Sequence, residues 1–249
     1  MRLNDDLLVL ELGTDFGTGP TLLHPVLILD AQAGHTLVDT GVPGMEGAIE
    51  AALAEVGATL KDVRQVIVTH HDLDHIGSLE AIVKTSGAQV WASERETPFI
   101  QGEEWPQKMP PQERVAALLA DPQTPPHVRA RLSLPRVAVR VDRTLHEGER
   151  LPLAGGVRVI LTPGHTPGHL SLYLEGTGTL ITGDALVSEG GQLQPPRAQL
   201  TPEMAAAGQS VNKMAELDVQ TAVTYHGGVV QDDANGQLRR VAEGMTTAG

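Results

Sequence analysis

The chain contains no cysteine. That excludes disulfides, redox thiols and thiolate-ligated metal sites, and leaves imidazoles and carboxylates as the metal ligands on offer. Aromatic residues make up only 2% of the 249 residues, so any core must be built mainly from Leu, Val, Ile and Ala. Basic residues are also scarce: 18 Lys and Arg face 31 Asp and Glu, for a formal net charge of −13. Gripping a phosphate backbone requires clustered Lys and Arg, so nucleic acid is not the expected partner and a small molecule is. No apolar run approaches the roughly 20 residues that cross a bilayer, and Asp5 and Asp6 precede only a short apolar stretch, unlike a signal peptide. A cytoplasmic location without a membrane partner is the expectation. Arg-over-Lys and Ala-rich usage points to a GC-rich bacterial genome, whereas oligomeric state leaves no mark in the sequence.

What is present is concentrated. Thr69-His70-His71-Asp72-Leu73-Asp74-His75-Ile76-Gly77 places several metal-binding side chains in a few residues, directly after the strand-like run Gln65-Val66-Ile67-Val68. On an extended loop alternate residues face the same way, so His70 and Asp72 can face one ion while Asp74 and His75 turn toward a second. The same device recurs. Val157-Arg158-Val159-Ile160-Leu161 runs into the turn Thr162-Pro163-Gly164-His165-Thr166-Pro167-Gly168-His169; Leu180-Ile181-Thr182-Gly183 ends on Asp184; Thr221-Ala222-Val223-Thr224-Tyr225 ends on His226 beside two glycines. Turns at strand ends present side chains from a rigid sheet.

Taken in order, these motifs resemble those of the metallo-β-lactamase superfamily: T-H-x-H-x-D-H-x-G, a P-G-H-T-x-G-H turn, a G-D aspartate and a late histidine before glycine. Val38-Asp39-Thr40-Gly41 is similar to that family's early D-T-G turn, and the resemblance covers nearly the whole chain. It implies an α/β fold, an αββα sandwich, and a ligand set. One ion would be held by His70, Asp72 and His165, a second by Asp74, His75 and His226, with Asp184 bridging. It also implies that Asp39 anchors the ligand loops. His169, behind His165, either orients its loop by hydrogen bonding or simply packs.

This chain departs from the family pattern at position 72, where the family has histidine. His71 could serve only through a register shift, whereas Thr69-His70 and Asp74-His75 align without a gap, so Asp72 is the expected ligand. Carboxylate oxygen is harder than imidazole nitrogen, so the expected cofactors are two divalent ions among zinc, manganese and iron. Two such ions lower the pKa of a shared water toward about 7. The resemblance therefore implies a dinuclear hydrolase using a bridging hydroxide on a small ester, lactone or thioester, with Asp74 accepting and returning a proton. The alternatives are a phosphodiesterase or nuclease, and a di-iron redox protein.

Periodicity predicts early strands over residues 7–12, 24–30 and 35–39 and a helix from Met45 to Val56 with Met45, Ile49, Leu53 and Val56 on one face. A second helix is expected from Ile76 to Thr85, a third opening at Thr201-Pro202-Glu203 with the threonine as cap, and a closing helix near Gln237 to Met245. Residues 1–249 read as one domain. Prolines punctuate residues 94–135, with short helical patterns around Val115 and Val128. The resemblance makes that segment a lid insertion over the metals. Phe99, Trp105 and Met109 are candidates for its substrate-facing wall or for packing within it. Tyr225 is a candidate substrate contact or a core residue.

Overall fold

The structure, a computed structural model, describes residues 1–15, 19–134 and 136–247. The last residue of the expected insertion and the last two of the expected domain lie outside that description. The chain opens with β1 (Leu7–Val9), the paired β2 (Leu12–Asp15) and β3 (Pro20–Leu23), then β4 (Val26–Ile28) and β5 (His35–Val38). Helix α1 (Glu46–Ala54) leads to β6 (Val63–Ile67), the single turn α2 (Leu73–Ile76), α3 (Leu79–Ser86) and β7 (Gln89–Ser93). Helices α4 (Thr97–Ile100), α5 (Gln112–Ala120) and α6 (Pro126–Leu132) precede β8 (Arg143–Leu145). The second half runs β9 (Arg150–Leu151), β10 (Val157–Leu161), β11 (Leu170–Leu174), β12 (Thr179–Gly183), β13 (Val187–Glu189) and β14 (Gln192–Gln194). It closes with α7 (Met204–Ala215), β15 (Thr221–Thr224), β16 (Gly228–Val230) and α8 (Ala234–Thr247).

Neighbouring strand residues point to opposite faces, and here both sets are apolar, which requires sheets covered on both sides. The first sheet has the order β1-β4-β5-β6-β7-β8 and the second β16-β15-β12-β11-β10-β9. In the first, the cross-strand row Val26, Val38, Ile67 and Trp91 faces the other sheet. The adjacent row, Leu27, Leu37, Val66 and Val90, packs under Ile49 and Leu53 of α1 and Leu79 and Ile82 of α3. The second sheet repeats the arrangement. Val159, Leu172, Ile181 and Val223 meet the first sheet, while Tyr173, Leu180 and Ala222 meet Val211 and Met214 of α7 and Leu238 of α8. The result is the expected αββα sandwich. Among the described residues, no helix is long and apolar enough to cross a membrane.

Topology places the site. β5, β6 and β7 are parallel, and β10, β12 and β15 run alike because β10 and β12 are both antiparallel to β11 and β15 is parallel to β12. The loops leaving β5, β6, β10, β12 and β15 therefore emerge at like ends of their sheets, and they carry Asp39, residues 70–75, His165, Asp184 and His226. A hydrogen bond from Leu170 N to Thr69 O, 3.0 Å, ties the two sheets together at this edge.

Three expectations need correction. The helix expected over 76–85 is two helices, because residue 77 lies against the chain entering α1. A Cβ on Gly77 would come within 2.4 Å of Pro43 N, and Ser78 Oγ donates to Val42 O while accepting from Met45 N. The expected first strand, 7–12, is divided: β1 joins the first sheet, whereas Leu12 starts β2, which pairs only with β3. Thr201 does not cap α7, which starts at Met204 without a side-chain cap. Thr201 is buried instead, with Oγ1 3.4 Å from His165 Nδ1.

Candidate metal centre

The four loop histidines His70, His75, His165 and His226 converge through their Nε2 atoms. Three groups of ligand atoms each lie within 4.8 Å of one another: His70, Asp72 and His165; Asp74, His75 and His226; and His70, His75 and Asp184. In the first triad, Asp72 Oδ2 is 3.4 Å from His70 Nε2 and 3.1 Å from His165 Nε2. In the second, Asp74 Oδ2 is 3.3 Å from His226 Nε2 and 3.8 Å from His75 Nε2. Asp184 touches both: its Oδ2 is 3.3 Å from His165 Nε2 and 3.4 Å from His226 Nε2, and its Oδ1 is 3.4 Å from His75 Nε2.

Each aim has a cause behind it. Asp39 has φ +62, a left-handed conformation that aspartate tolerates better than most residues. It accepts from Thr69 N at 2.8 Å, from Thr69 Oγ1 at 2.7 Å and from His75 Nδ1 at 2.8 Å. Since the Thr69 hydroxyl proton goes to Asp39, Thr69 Oγ1 must accept from His70 Nδ1, 3.0 Å away. One carboxylate thus fixes both imidazoles with Nε2 inward. His169 works on a different ligand from the one expected. Its Nε2 accepts from Asp184 N at 3.0 Å, so Nδ1 carries the proton and donates to Thr162 Oγ1 at 2.8 Å. Thr162 Oγ1 and Ser171 Oγ are 3.0 Å apart, and Ser171 Oγ donates to Thr182 O. His169 therefore positions Asp184.

Two residues that the sequence did not single out bear on the first triad. Glu96 is fully buried and accepts from His71 N (2.9 Å), His71 Nδ1 (2.5 Å), Thr166 Oγ1 (2.7 Å) and Gly168 N (2.7 Å). It clamps the His70–His75 loop to the His165 loop. Gly168 is required there, since a Cβ would lie 2.5 Å from Ser93 Oγ and 2.8 Å from Glu96 N. His71 is thus engaged with Glu96, and Asp72 is the residue in the triad. The second is Lys108, from the loop between α4 and α5, whose Nζ donates to Asp72 Oδ2 and lies 2.6 Å from His165 Nε2. Glu96 is one acid among many, and Lys108 lies in a stretch without motif or period.

The candidate wall residues differ. Phe99 stacks on His71, centroids 4.2 Å apart. Trp105 makes its contacts within the insertion and at its end: its Nε1 donates to Pro110 O at 2.7 Å, and Arg136, just past the insertion, lies over its ring at 5.0 Å. Met109 is half-buried in the same loop. Tyr225, a candidate substrate contact, is a buried core residue instead. It is 3% exposed, its ring is 3.8 Å from that of His75, and its hydroxyl donates to Asp74 O at 2.5 Å. It supports the second triad from beneath.

Burial pushes the His70 imidazole well below the usual histidine range, and neighbouring His75 adds to the push. Burial would lower His75 too, but Asp39, Asp184 and Asp74 outweigh it and hold His75 well above that range. For His226 burial is likewise overcome, chiefly by Asp184 and then Asp74, and its pKa rises to about 9. Asp72 and Asp184 stay well below the carboxylate range despite burial. The imidazoles of His165 and His70 beside it hold the first there, and those of His226 and His75 hold the second. Around His75 and His226 the carboxylates thus favour positive charge, as a cation site should.

The residues fit divalent ions on their own chemistry. His70 Nε2, His75 Nε2 and Asp184 Oδ1 are buried without a hydrogen-bond partner among the described residues. Such groups are costly unless something occupies them, and a sulfur-free imidazole and carboxylate set suits zinc, manganese or iron. The metallo-beta-lactamase superfamily model matches residues 20–226. The chain belongs to that superfamily. It is a metal-dependent hydrolase by membership and by the ligand arrangement together. It is 30% identical to the probable metallo-hydrolase YflN of Bacillus subtilis, over 77% of this chain and 74% of that one. It is 29% identical to a hydroxyacylglutathione hydrolase of Cereibacter sphaeroides, over 80% of this chain but only 60% of the relative. A metallo-beta-lactamase family protein from Thermus thermophilus superimposes with TM-score 0.73 at 28% identity, covering 99% of this chain and 80% of that one.

Proposed function

We propose that this superfamily member is a dinuclear hydrolase of a small thioester, lactone or ester, with zinc, manganese or iron held by the two triads. The observation that carries this reading is Asp184, one carboxylate within 3.4 Å of Nε2 atoms from both triads. Divalent ions held there would supply an acidified water and a Lewis acid for the substrate carbonyl.

The protein's own residues do the rest. Asp39 and Thr69 hold His70 and His75 as Nδ1 donors, so that their Nε2 atoms stay turned to the site. Asp74, whose side chain is 22% exposed with Oδ2 3.3 Å from His226 Nε2, is placed to take and return a proton at that oxygen. Phe99 and the 101–111 loop offer a wall to a small, partly apolar acyl group, which makes residues 94–135 a lid on a single domain. The hydroxyacylglutathione hydrolase relative favours a thioester within this class. The net charge of −13 favours a small molecule over nucleic acid, and a cytoplasmic place belongs to the same proposal.

A panel of thioesters, lactones, aryl esters and phosphodiesters, assayed with each metal, tests the reading. The best turnover should fall among the carbonyl compounds, with Asp74→Ala reducing kcat/KM by roughly 10²–10⁴-fold at metal concentrations raised until both ions are bound. Preference for phosphodiesters, or oxygen uptake without hydrolysis, would replace it.

A further inference from the structure

The two triads differ in one respect that their ligands do not explain: a lysine lies against one of them. Lys108 Nζ donates to Asp72 Oδ2 and is 2.6 Å from His165 Nε2, so it is in contact with two of the three ligand atoms of the first triad. Its side chain is 18% exposed and that of Asp72 21%, so the ion pair is partly withdrawn from water. In the second triad, Asp74 pairs only with His75 and His226 among the described residues.

An ion binds imidazole nitrogen and carboxylate oxygen at about 2.0–2.2 Å, through lone pairs that Lys108 engages here. Ammonium and ion cannot both hold His165 Nε2. We infer that Lys108 competes with divalent cations for the His70, Asp72 and His165 triad, making it the weaker of two ion sites, and that filling it expels Lys108 together with its loop. Asp72 is what makes this competition possible. A neutral histidine at that position would give an ammonium no anion to pair with, so the carboxylate at 72 and the lysine at 108 form a matched set.

The loop is built to carry Lys108 as a unit. Trp105 Nε1 donates to Pro110 O, Met109 N donates to Pro106 O, and Arg136 Nη2 donates to Gly102 O and Glu104 O. These bonds close residues 102–110 on themselves and on Arg136. Glu103 N and Glu104 N also donate to Pro98 O at the base of the loop, and among the described residues the hydrogen bonds from the loop to the triad are those of Lys108 with Asp72 and His165. Ion loading of the first triad is thereby linked to where the insertion stands over the site.

The inference rests on the triads being ion sites, as proposed above, and its test separates the two. Zinc, and separately manganese, is titrated by calorimetry into the chelator-stripped full chain, as wild type and as Lys108→Met. Wild type should bind one ion tightly and a second more weakly. Lys108→Met should tighten the weak step by about tenfold or more, the scale of a partly buried ion pair no longer broken, with the tight step little changed. Wild type also carries its own reporter, since trypsin cleaves after lysine: cleavage between Lys108 and Met109 should quicken as the second ion binds. That readout stands even where Lys108→Met fails to fold. Two binding steps that are the same in both proteins, or slower cleavage on filling the second site, overturn the competition alone. A wild-type chain that binds no ion overturns the ligand reading with it.

Discussion

The two triads share Asp184 yet are supported in opposite ways. The Asp74, His75 and His226 triad rests on the interior: Asp39 accepts from His75 Nδ1, and Tyr225 lies under the His75 ring and donates to Asp74 O. Both supporters are buried, so the triad's geometry is set by the sandwich itself. The His70, Asp72 and His165 triad is assembled from two loops that meet through Glu96, and its open side is met by Lys108 from a segment outside both sheets. A ligand set held by core packing is fixed when the chain folds. One closed by an insertion can respond to what binds. The contrast locates invariance in one half of the site and adjustment in the other.

The strongest way to break that contrast is to remove what the halves share. Asp184→Ala takes away the carboxylate that lies near both His165 and His226. Ion stoichiometry by elemental analysis should fall for both triads at once, and hydrolysis by roughly a thousandfold. Loss of a single ion, with the other retained at wild-type affinity, would mean that the triads are independent. Asp39→Asn sharpens the contrast instead. Asparagine cannot accept from His75 Nδ1 and Thr69 as a carboxylate does, and such support typically carries roughly 10- to 100-fold in metal affinity. The tight step should weaken by that much and the weak step by less, since Asp39 reaches His70 only through the Thr69 hydroxyl. Competition with a chromogenic chelator measures both.

The same division governs what is legible in the sequence alone. His70, Asp72, Asp74, His75, His165, Asp184 and His226 are readable as candidate ligands because each follows a short apolar run at a turn, and the family resemblance is what orders them into two sets. The rows Val26-Val38-Ile67-Trp91 and Leu27-Leu37-Val66-Val90 are implicit in runs apolar on both parities. Glu96 and Lys108 are not readable. Each acts through partners about 25 to 70 residues away, and nothing local separates that glutamate from other surface acids or that lysine from a solvated one. The break at Gly77 and Ser78 is hidden for the same reason, since the cause is Pro43 on another segment. Tyr225 is undecided in the sequence because alternation places it opposite its neighbours only if the strand stays straight, whereas β15 ends at Thr224.

The smallest effect, and the most direct probe of the interior triad, is the pH dependence of stability. In the chelator-treated chain, His226 holds a proton up to about pH 9 because Asp184 and Asp74 outweigh its burial, and His75 is raised by the same kind of neighbours. A folded-state pKa above the unfolded 6.5 means that the native chain binds more protons between those values. The stabilisation is complete below about pH 6.5 and is lost as pH rises through about 9. Urea midpoints should therefore fall over that window, by an amount of order 2 kcal/mol in unfolding free energy. His24 works with the opposite sign: burial lowers its pKa, so its contribution is present above about 6.5 and fades as the solution is acidified. Saturating zinc should remove the alkaline decline, because the ion takes the place of the protons at His75 and His226, and should leave the His24 limb untouched. A midpoint that stays level from pH 6.5 to 9 in chelator, or an alkaline decline that persists in zinc, would show that the carboxylates of this triad do not hold the charge assigned to them.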